Sequence, residues 1–288
     1  MPLQRIAVVT GSNKGIGFET AKKIAAAGLK TIICARNEER GLAATKEAAA
    51  FGDVEFRKLD ISSADSRKQF LENFANDFGR CDVLVNCAGI AFKAADPTPH
   101  AQQARPTFAT NYFGTSGMTL AMLPLLRKGV APRIVTIASK SGQLRILEDE
   151  EKRKRISSPN ITVDQVTEFV NEYLAAVESG THAEQGWPNT NLGMSQLCKI
   201  AFTKAIARQE AAHNISANCC CPGHCQTDMS SNSGTKTAEE GARTPAWVAL
   251  LESSDGSLLP TEQFFSAEVS YTEHHEGEDP SLVKEIQW

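Results

Sequence analysis

The stretch Ile6-Ala7-Val8-Val9-Thr10-Gly11-Ser12-Asn13-Lys14-Gly15-Ile16-Gly17 decides the fold. A short apolar run leads into a glycine-rich turn, and the turn opens a helical pattern. Glycines let the backbone turn tightly and approach a pyrophosphate, whose charge the free N–H groups and dipole of a helix N-terminus attract. The strand–turn–helix context makes the motif specific for a dinucleotide. The residues predicted to bind it here are Gly11, Ser12, Asn13, Lys14, Gly15, Ile16 and Gly17.

The alternation of short apolar runs with longer amphipathic stretches continues along the chain. Nearly all-apolar strands separated by helices are typical of a parallel sheet covered on both faces. We therefore predict an α/β fold, a doubly wound parallel sheet of the Rossmann type, with residues 1–288 in a single domain. The later apolar runs are Thr31–Cys34, Val54–Phe56, Val83–Val85 and Ile134–Ile137.

Residues 142–186 interrupt this alternation with a more polar segment. Within it, Thr162 and Gln165 stand three residues apart as in a capping box, and apolar residues then recur at helical spacing. The segment is predicted to be a helical insertion on the surface of the domain.

Composition excludes several classes of protein. The 288 residues include 41% hydrophobic and 22% charged residues, with a net charge of -4, which argues against nucleic-acid and membrane partners. The N-terminus lacks the pattern of a signal peptide, so we expect a cytoplasmic protein with reduced cysteines. Cys219–Cys221, Cys225 and His224 lack the separated ligand pairs of a zinc site, so no metal is predicted.

The residues after the second apolar run choose between the nicotinamide cofactors. An NAD site usually places an acidic residue there, to accept hydrogen bonds from the ribose hydroxyls. This chain has Ala35-Arg36 instead, with no carboxylate before Glu38, and Lys14 adds a second cation. Two cations without an acid suit a 2′-phosphate, so we predict NADPH as the cofactor.

Further motifs resemble those of the short-chain dehydrogenases/reductases, and in particular the NADPH-dependent carbonyl reductases. The motifs are Leu59-Asp60-Ile61, Asn86-Cys87-Ala88-Gly89, the string from Gly89 to Pro99, Thr110-Asn111-Tyr112-Phe113-Gly114, Gly186-Trp187-Pro188, and Pro222-Gly223-His224-Cys225-Gln226-Thr227. The resemblance implies a small carbonyl substrate such as a quinone, aldehyde or ketone, and a monomer, since the insertion fits that subgroup. Residues 267–288 match poorly and are interpreted as a C-terminal tail. The further cofactor-binding residues that it implies are Asp60, Ile61, Asn86, Ala88, Gly89, Gln196, Pro222, Gly223 and Thr227.

The resemblance also implies a reducing site of Asn, Ser, Tyr and Lys, of which only the first two are present. Asn111 and Ser139 occupy their positions, but Leu192 stands at the Tyr position and Gln196 at the Lys position. Leucine has no proton to give, and a neutral amide cannot lower the pKa of a neighbour, although it can still reach a ribose hydroxyl. Lys199, three residues further, is expected to project from a different part of the helix surface.

Three functions remain open at this point. The chain is a reductase of weak or altered activity with a substitute acid, a cofactor-binding sensor or scaffold without catalysis, or a reductase of activated C=C bonds. For the first, the candidate acid is His224, because it follows Pro222-Gly223 and an imidazole titrates near neutral pH.

Overall fold

A computed structural model describes residues 3–93, 95–252, 259–267, 283–285 and 288. These residues form one eight-stranded sheet of order β3-β2-β1-β4-β5-β6-β7-β8, in which β7 and β8 pair antiparallel and every other pair is parallel. The predicted doubly wound α/β fold is confirmed. The strands are β1 Ile6–Thr10, β2 Lys30–Ala35, β3 Val54–Lys58, β4 Val83–Asn86, β5 Arg133–Ile137, β6 Ser216–Cys221, β7 Phe264–Ala267 and β8 Val283–Glu285.

Helices cover both faces of this sheet. They are α1 Gly15–Ala26, α2 Glu38–Ala48, α3 Ala64–Phe78, α4 His100–Phe108, α5 Thr115–Leu126, α6 Glu150–Ile156, α7 Val163–Glu178, α8 Asn191–Gln209 and α9 Ala238–Leu250. None of the helices in the described part of the chain is long and apolar enough to cross a membrane.

Two apolar cores lie on opposite sides of the central strands. On one side α1, α2 and α9 bury side chains such as Ile24 and Val248 against Val9. On the other, α3, α4, α5, α7 and α8 pack around residues such as Phe202 and Leu84. The central strands are buried on both faces, which explains why their sequences are runs of apolar residues rather than alternating patterns.

The predicted capping box opens α7. The Thr162 hydroxyl accepts a hydrogen bond from the Gln165 N–H, and the Gln165 side chain accepts one from the Thr162 N–H. The apolar side of α7 is buried through residues such as Phe169 and Tyr173, and the helix packs against α4 and α8. This segment therefore braces the helices that carry the candidate reducing site.

The segment predicted as a C-terminal tail is described only in part. Residues 283–285 form β8, which pairs with β7 and extends the sheet. Trp288 packs against the apolar core, with the Lys204 ammonium 5.5 Å from its ring centroid. Residues 268–282 and 286–287 lie outside the described residues.

Candidate active and cofactor-binding site

The glycine-rich turn between β1 and α1 leaves no room for side chains. Gly11 has φ +64°, and a Cβ there would stand 2.7 Å from the Ala88 Cα. A Cβ on Gly17 would stand 2.6 Å from the Gly11 carbonyl oxygen, and one on Gly15, with φ +58°, would meet the Thr227 methyl at 3.5 Å. The structure thus brings together five of the predicted cofactor-binding residues, from the loops after β1, β4 and β6.

Hydrogen bonds fix this turn to the neighbouring strands. The Ser12 N–H donates to the Cys34 carbonyl at 3.0 Å, and the Cys34 N–H donates to the Ser12 hydroxyl at the same distance. The Thr10 hydroxyl oxygen accepts from the N–H groups of Cys87 and Ala88 at 3.0 and 3.1 Å. Asn13 and Ile16 are half-buried in the same turn.

The start of α1 is suited to an anion. No side chain caps it at Lys14, so its N-terminal N–H groups receive no side-chain acceptor. The Lys14 ammonium instead pairs with the Asp228 carboxylate at 2.6 Å, which lowers the pKa of Asp228. Arg36 is exposed directly after β2. Both predicted cations therefore face solvent at the edge where the parallel strands end.

Two more predicted motifs border the same edge. The Asp60 carboxylate accepts from the N–H and hydroxyl of Ser62 at 2.9 and 2.6 Å, which holds the turn after β3, and Ile61 is buried beside it. Asn86 is buried at the end of β4 and donates to the Thr119 hydroxyl at 2.8 Å. Its amide oxygen has no hydrogen-bond partner in the described residues.

Asn111 is held in a π-helical turn, Ala109–Gly114, between α4 and α5. Its amide oxygen accepts from the Ile90 N–H at 2.8 Å, and its NH₂ group donates to the Ile90 carbonyl at 3.0 Å and to the Ser195 hydroxyl at 3.1 Å. A Cβ on Gly89 would stand 3.2 Å from that amide oxygen. Asn111 therefore links the cofactor motif after β4 to the first turns of α8.

Ser139 follows β5 at the start of a 3-10 turn. Its hydroxyl oxygen accepts from the N–H and hydroxyl of Ser141 at 3.1 and 3.0 Å. This turn packs on the backbone of α8, since a Cβ on Gly142 would stand 2.5 Å from the Leu197 nitrogen and 2.7 Å from the Gln196 Cβ. The structure thus places Asn111 and the Ser139 turn against the start of α8.

Leu192 and Gln196 lie in the first two turns of α8, next to the Ser139 turn. Leu192 is half-buried in the first turn of α8, where its carbonyl accepts from the Ser195 hydroxyl at 2.8 Å. Gln196 is buried, with 7% of its surface exposed. The backbone at these two positions is ordinary α-helix.

The loop after β6 carries the remaining predicted residues. Pro222 is buried, and Gly223, with φ +86°, lies beside the Lys236 side chain. His224 is exposed, and its imidazole Nε2 lies 3.4 Å from the Ser233 hydroxyl of its own loop. In the described residues, no hydrogen bond connects His224 to Ser139 or to α8.

Two functional candidates were missed from the sequence. Asp228, the partner of Lys14, comes from a loop distant in sequence and carries no motif of its own. Lys199, which was expected to project from a different part of the helix surface, is 3% exposed, and its ammonium donates to the Ile137 carbonyl at 2.5 Å. Helical side chains lean toward the N-terminus of their helix, and that signal could have identified Lys199.

The arrangement fits the phosphates of a dinucleotide. The glycine cradle, the uncapped helix start and the two exposed cations match a phosphorylated ligand in charge. Among the described residues, no group of three or more His, Cys, Asp or Glu side chains is placed to hold a metal ion.

Comparisons with known proteins agree with this geometry. The profile of the short chain dehydrogenase family matches residues 5–148. "Carbonyl reductase [NADPH] 1" of Mus musculus is 37% identical over 254 residues, covering 85% of this chain and 91% of that protein. The Macaca fascicularis protein of the same name is 38% identical over 256 residues, covering 86% and 91%.

Solved structures give the same picture. Salutaridine reductase from Papaver somniferum superposes with a TM-score of 0.82 at 27% identity, covering 91% of this chain and 99% of that one. Menthone neomenthol reductase from Mentha piperita superposes with a TM-score of 0.76 at 27% identity, covering 91% and 98%.

Proposed function

Because this chain belongs to the short-chain dehydrogenase family, we propose that it is an NADPH-dependent oxidoreductase of the carbonyl reductase type whose carbonyl-reducing step is weak. The observation that carries the proposal is the glycine turn closed on Ala88, with Lys14 and Arg36 beside it. The relatives whose names include NADPH support the same cofactor.

The two retained site residues have definite roles in this proposal. Bound NADPH supplies a hydride to the carbonyl carbon of a small substrate. The Ser139 hydroxyl oxygen already accepts two hydrogen bonds, so its own proton is left to donate to the substrate oxygen. Asn111 is a positioning residue that holds the loop after β4 against α8.

Without the tyrosine and the lysine, this site protonates the substrate oxygen poorly. An alkoxide forming on the substrate oxygen requires a proton, which Leu192 cannot provide and Ser139 can supply only by becoming an anion itself. Gln196 can still bind a ribose hydroxyl of the cofactor, but it offers no positive charge. We therefore assign slow turnover with quinones, aldehydes and ketones.

A second candidate function is an NADPH-binding sensor or scaffold without turnover. The half-buried, apolar Leu192 at the proton-donor position favours it. A third outcome is reduction of activated C=C bonds, where water can protonate the substrate carbon and no tyrosine is needed.

One experiment separates these functions. NADPH and NADH are titrated by fluorescence or calorimetry, and NADPH oxidation is then followed over a panel of quinones, aldehydes and enones. Tight NADPH binding with slow carbonyl turnover supports the proposed reductase, binding without turnover supports the sensor, and turnover of enones alone supports C=C reduction. A chain that binds neither cofactor contradicts all three.

We also infer that the chain acts as a cytoplasmic monomer. The support for a monomer is α7, which packs against α4 and α8 and covers part of their surface. Sedimentation equilibrium at micromolar concentration tests the oligomeric state, and a dimer mass contradicts the inference.

A further inference from the structure

A lysine that belongs to no known motif lies behind the candidate cofactor site. Lys199, in the third turn of α8, is 3% exposed. Its ammonium donates to the carbonyl of Ile137, the last residue of β5, two positions before Ser139. Because helical side chains lean toward the helix N-terminus, Lys199 reaches back toward the level of Gln196.

The Ile137 carbonyl faces the gap between the ends of β4 and β5. The last residue pair between these strands is Asn86 with Thr136, so Ile137 extends one residue beyond the pairing. The next N–H, of Ala138, donates to Cys220 on the opposite side, in β6. Since successive residues of a strand bond to opposite neighbours, the Ile137 carbonyl points toward Cys87, which follows β4.

Cys87 belongs to the floor of the cofactor site. Its sulfur would stand 3.0 Å from a Cβ on Gly17, and its N–H and that of Ala88 share the Thr10 hydroxyl. Burial raises the pKa of the Cys87 thiol to about 12. The charge of Lys199 acts in the opposite direction and lowers it. The Lys199 charge therefore acts on a residue that packs against Gly17 of the predicted pyrophosphate cradle.

Among the residues that the structure describes, no carboxylate pairs with the ammonium. Three thiols act on it: Cys87 after β4, and Cys219 and Cys220 of β6. Burial raises the pKa of each, to about 11 for Cys219, so all three are neutral at physiological pH. Burial in turn lowers the pKa of Lys199, because an unpaired charge is costly inside a protein.

We propose that Lys199 supplies the cofactor site with the positive charge that Gln196 lacks, and that the phosphates of the bound dinucleotide are its counter-charge. This inference rests on the proposed cofactor binding. Lys199 is a positioning residue in this account: it acts across the floor of the site on the pyrophosphate, which NADPH and NADH share. Arg36, by contrast, acts only on the 2′-phosphate.

The test is a Lys199→Met variant, which keeps a long side chain and removes the charge. Affinity for both NADPH and NADH should fall by a similar factor of about ten, the order expected for loss of one partly screened charge interaction. The Arg36→Ala variant should lose affinity for NADPH alone. The matched control is Lys204→Met, since Lys204 lies on the same helix and also donates to a backbone carbonyl, that of Glu262 at 2.6 Å, away from the cofactor edge. It should leave both affinities unchanged.

The pH dependence provides a second readout. A bound dinucleotide raises the pKa of Lys199 from its lowered value in the free protein toward or above the ordinary 10.5. Binding then takes up a proton between those two pKa values, so affinity should weaken as the pH rises through this alkaline window. Calorimetry of wild type at a series of pH values up to 10.5, in pairs of buffers of different ionisation enthalpy, should report proton uptake with both cofactors within this range, and Lys199→Met should show neither the uptake nor the pH slope.

Each outcome decides between explanations. If Lys199 only supports the Ile137 carbonyl, Lys199→Met melts at a lower temperature but binds both cofactors as wild type does, and the inference is wrong. A wild type that binds with no proton uptake also overturns it, even if the variant does not fold. A wild type that binds neither cofactor overturns the proposed function as well, which distinguishes the two failures.

Discussion

The glycine turn between β1 and α1 and the first two turns of α8 differ in what constrains them. In the glycine turn, backbone atoms approach so closely that side chains are excluded: a Cβ on Gly11 or Gly17 would stand 2.7 or 2.6 Å from another residue's backbone. In α8, the backbone is equally fixed, with Gly142 packed on it, but the half-buried Leu192 and the buried Gln196 have room for full side chains.

This contrast shows how a cofactor site can remain while its chemistry changes. At the glycine turn, a side chain would collide with neighbouring backbone atoms. Any substitution would therefore move the backbone N–H groups that bind phosphate. In the proposed function, a tyrosine and a lysine at the start of α8 would serve proton transfer and not folding. With leucine and glutamine at these positions, the helix, the Ser139 turn and the Asn111 contacts are in place.

The largest predicted effect restores chemistry at α8. A Leu192→Tyr, Gln196→Lys double variant should reduce quinones and aldehydes roughly a hundredfold to ten-thousandfold faster than wild type, the usual contribution of a general acid. Leu192→Tyr alone should gain less, because no adjacent ammonium lowers the pKa of its phenol. Steady-state NADPH oxidation measures the gain.

The control for that gain is Leu192→Phe with Gln196→Lys, which adds the ring and the charge without the hydroxyl. It should stay as slow as wild type. Equal rates for the two double variants would assign the gain to pocket shape, and an inert, NADPH-binding tyrosine variant would mean that the pocket has changed beyond these positions.

A substitution in the glycine turn should affect binding instead. Gly11→Ala combines a left-handed backbone with a clash against Ala88, about 3 kcal/mol together, so NADPH affinity should fall about a hundredfold. The matched control is Gly28→Ala, at φ +89° with no other atom within 4 Å of its Cβ. It should lower the melting temperature but keep NADPH affinity, and an unchanged affinity in Gly11→Ala would contradict the close-packing argument.

Arg36, which directly follows β2, should determine the preference for NADPH over NADH. Arg36→Ala should weaken NADPH about tenfold to hundredfold and leave NADH unchanged, because a charge-assisted contact to the 2′-phosphate is lost. Arg105→Ala, at a surface arginine paired with Glu178, serves as the control. Equal affinities of wild type for the two cofactors would refute this role.

The smallest predicted effect concerns His224. If its imidazole donates the proton in the residual wild-type reaction, His224→Ala should lower the rate about tenfold without changing NADPH affinity. His213→Ala, another exposed histidine, should have no effect. A rate and pH profile that His224→Ala leaves unchanged would exclude His224 and point to water as the acid.

Sequence reasoning succeeded where a local pattern imposes a local structure. Apolar runs gave the parallel strands, and Thr162 with Gln165 gave the start of α7, because periodicity and capping act within a few residues. It missed the ion pair of Asp228 and the hydrogen bond of Lys199, because each depends on a contact between distant segments: Asp228 with Lys14 and Lys199 with Ile137. The extension of the sheet by residues 283–285 was missed for the same reason.

The most direct test of this contrast measures two properties of the wild-type protein: NADPH binding, which depends on the glycine turn, and carbonyl reduction, which depends on α8. NADPH binding is titrated by fluorescence, and the same preparation is assayed for NADPH oxidation with quinones and aldehydes beside the Leu192→Tyr, Gln196→Lys variant. The account predicts saturable NADPH binding by both proteins, with wild-type turnover at least about a hundredfold slower. Wild-type turnover as fast as that of the variant, or no binding of NADPH by wild type, would contradict it.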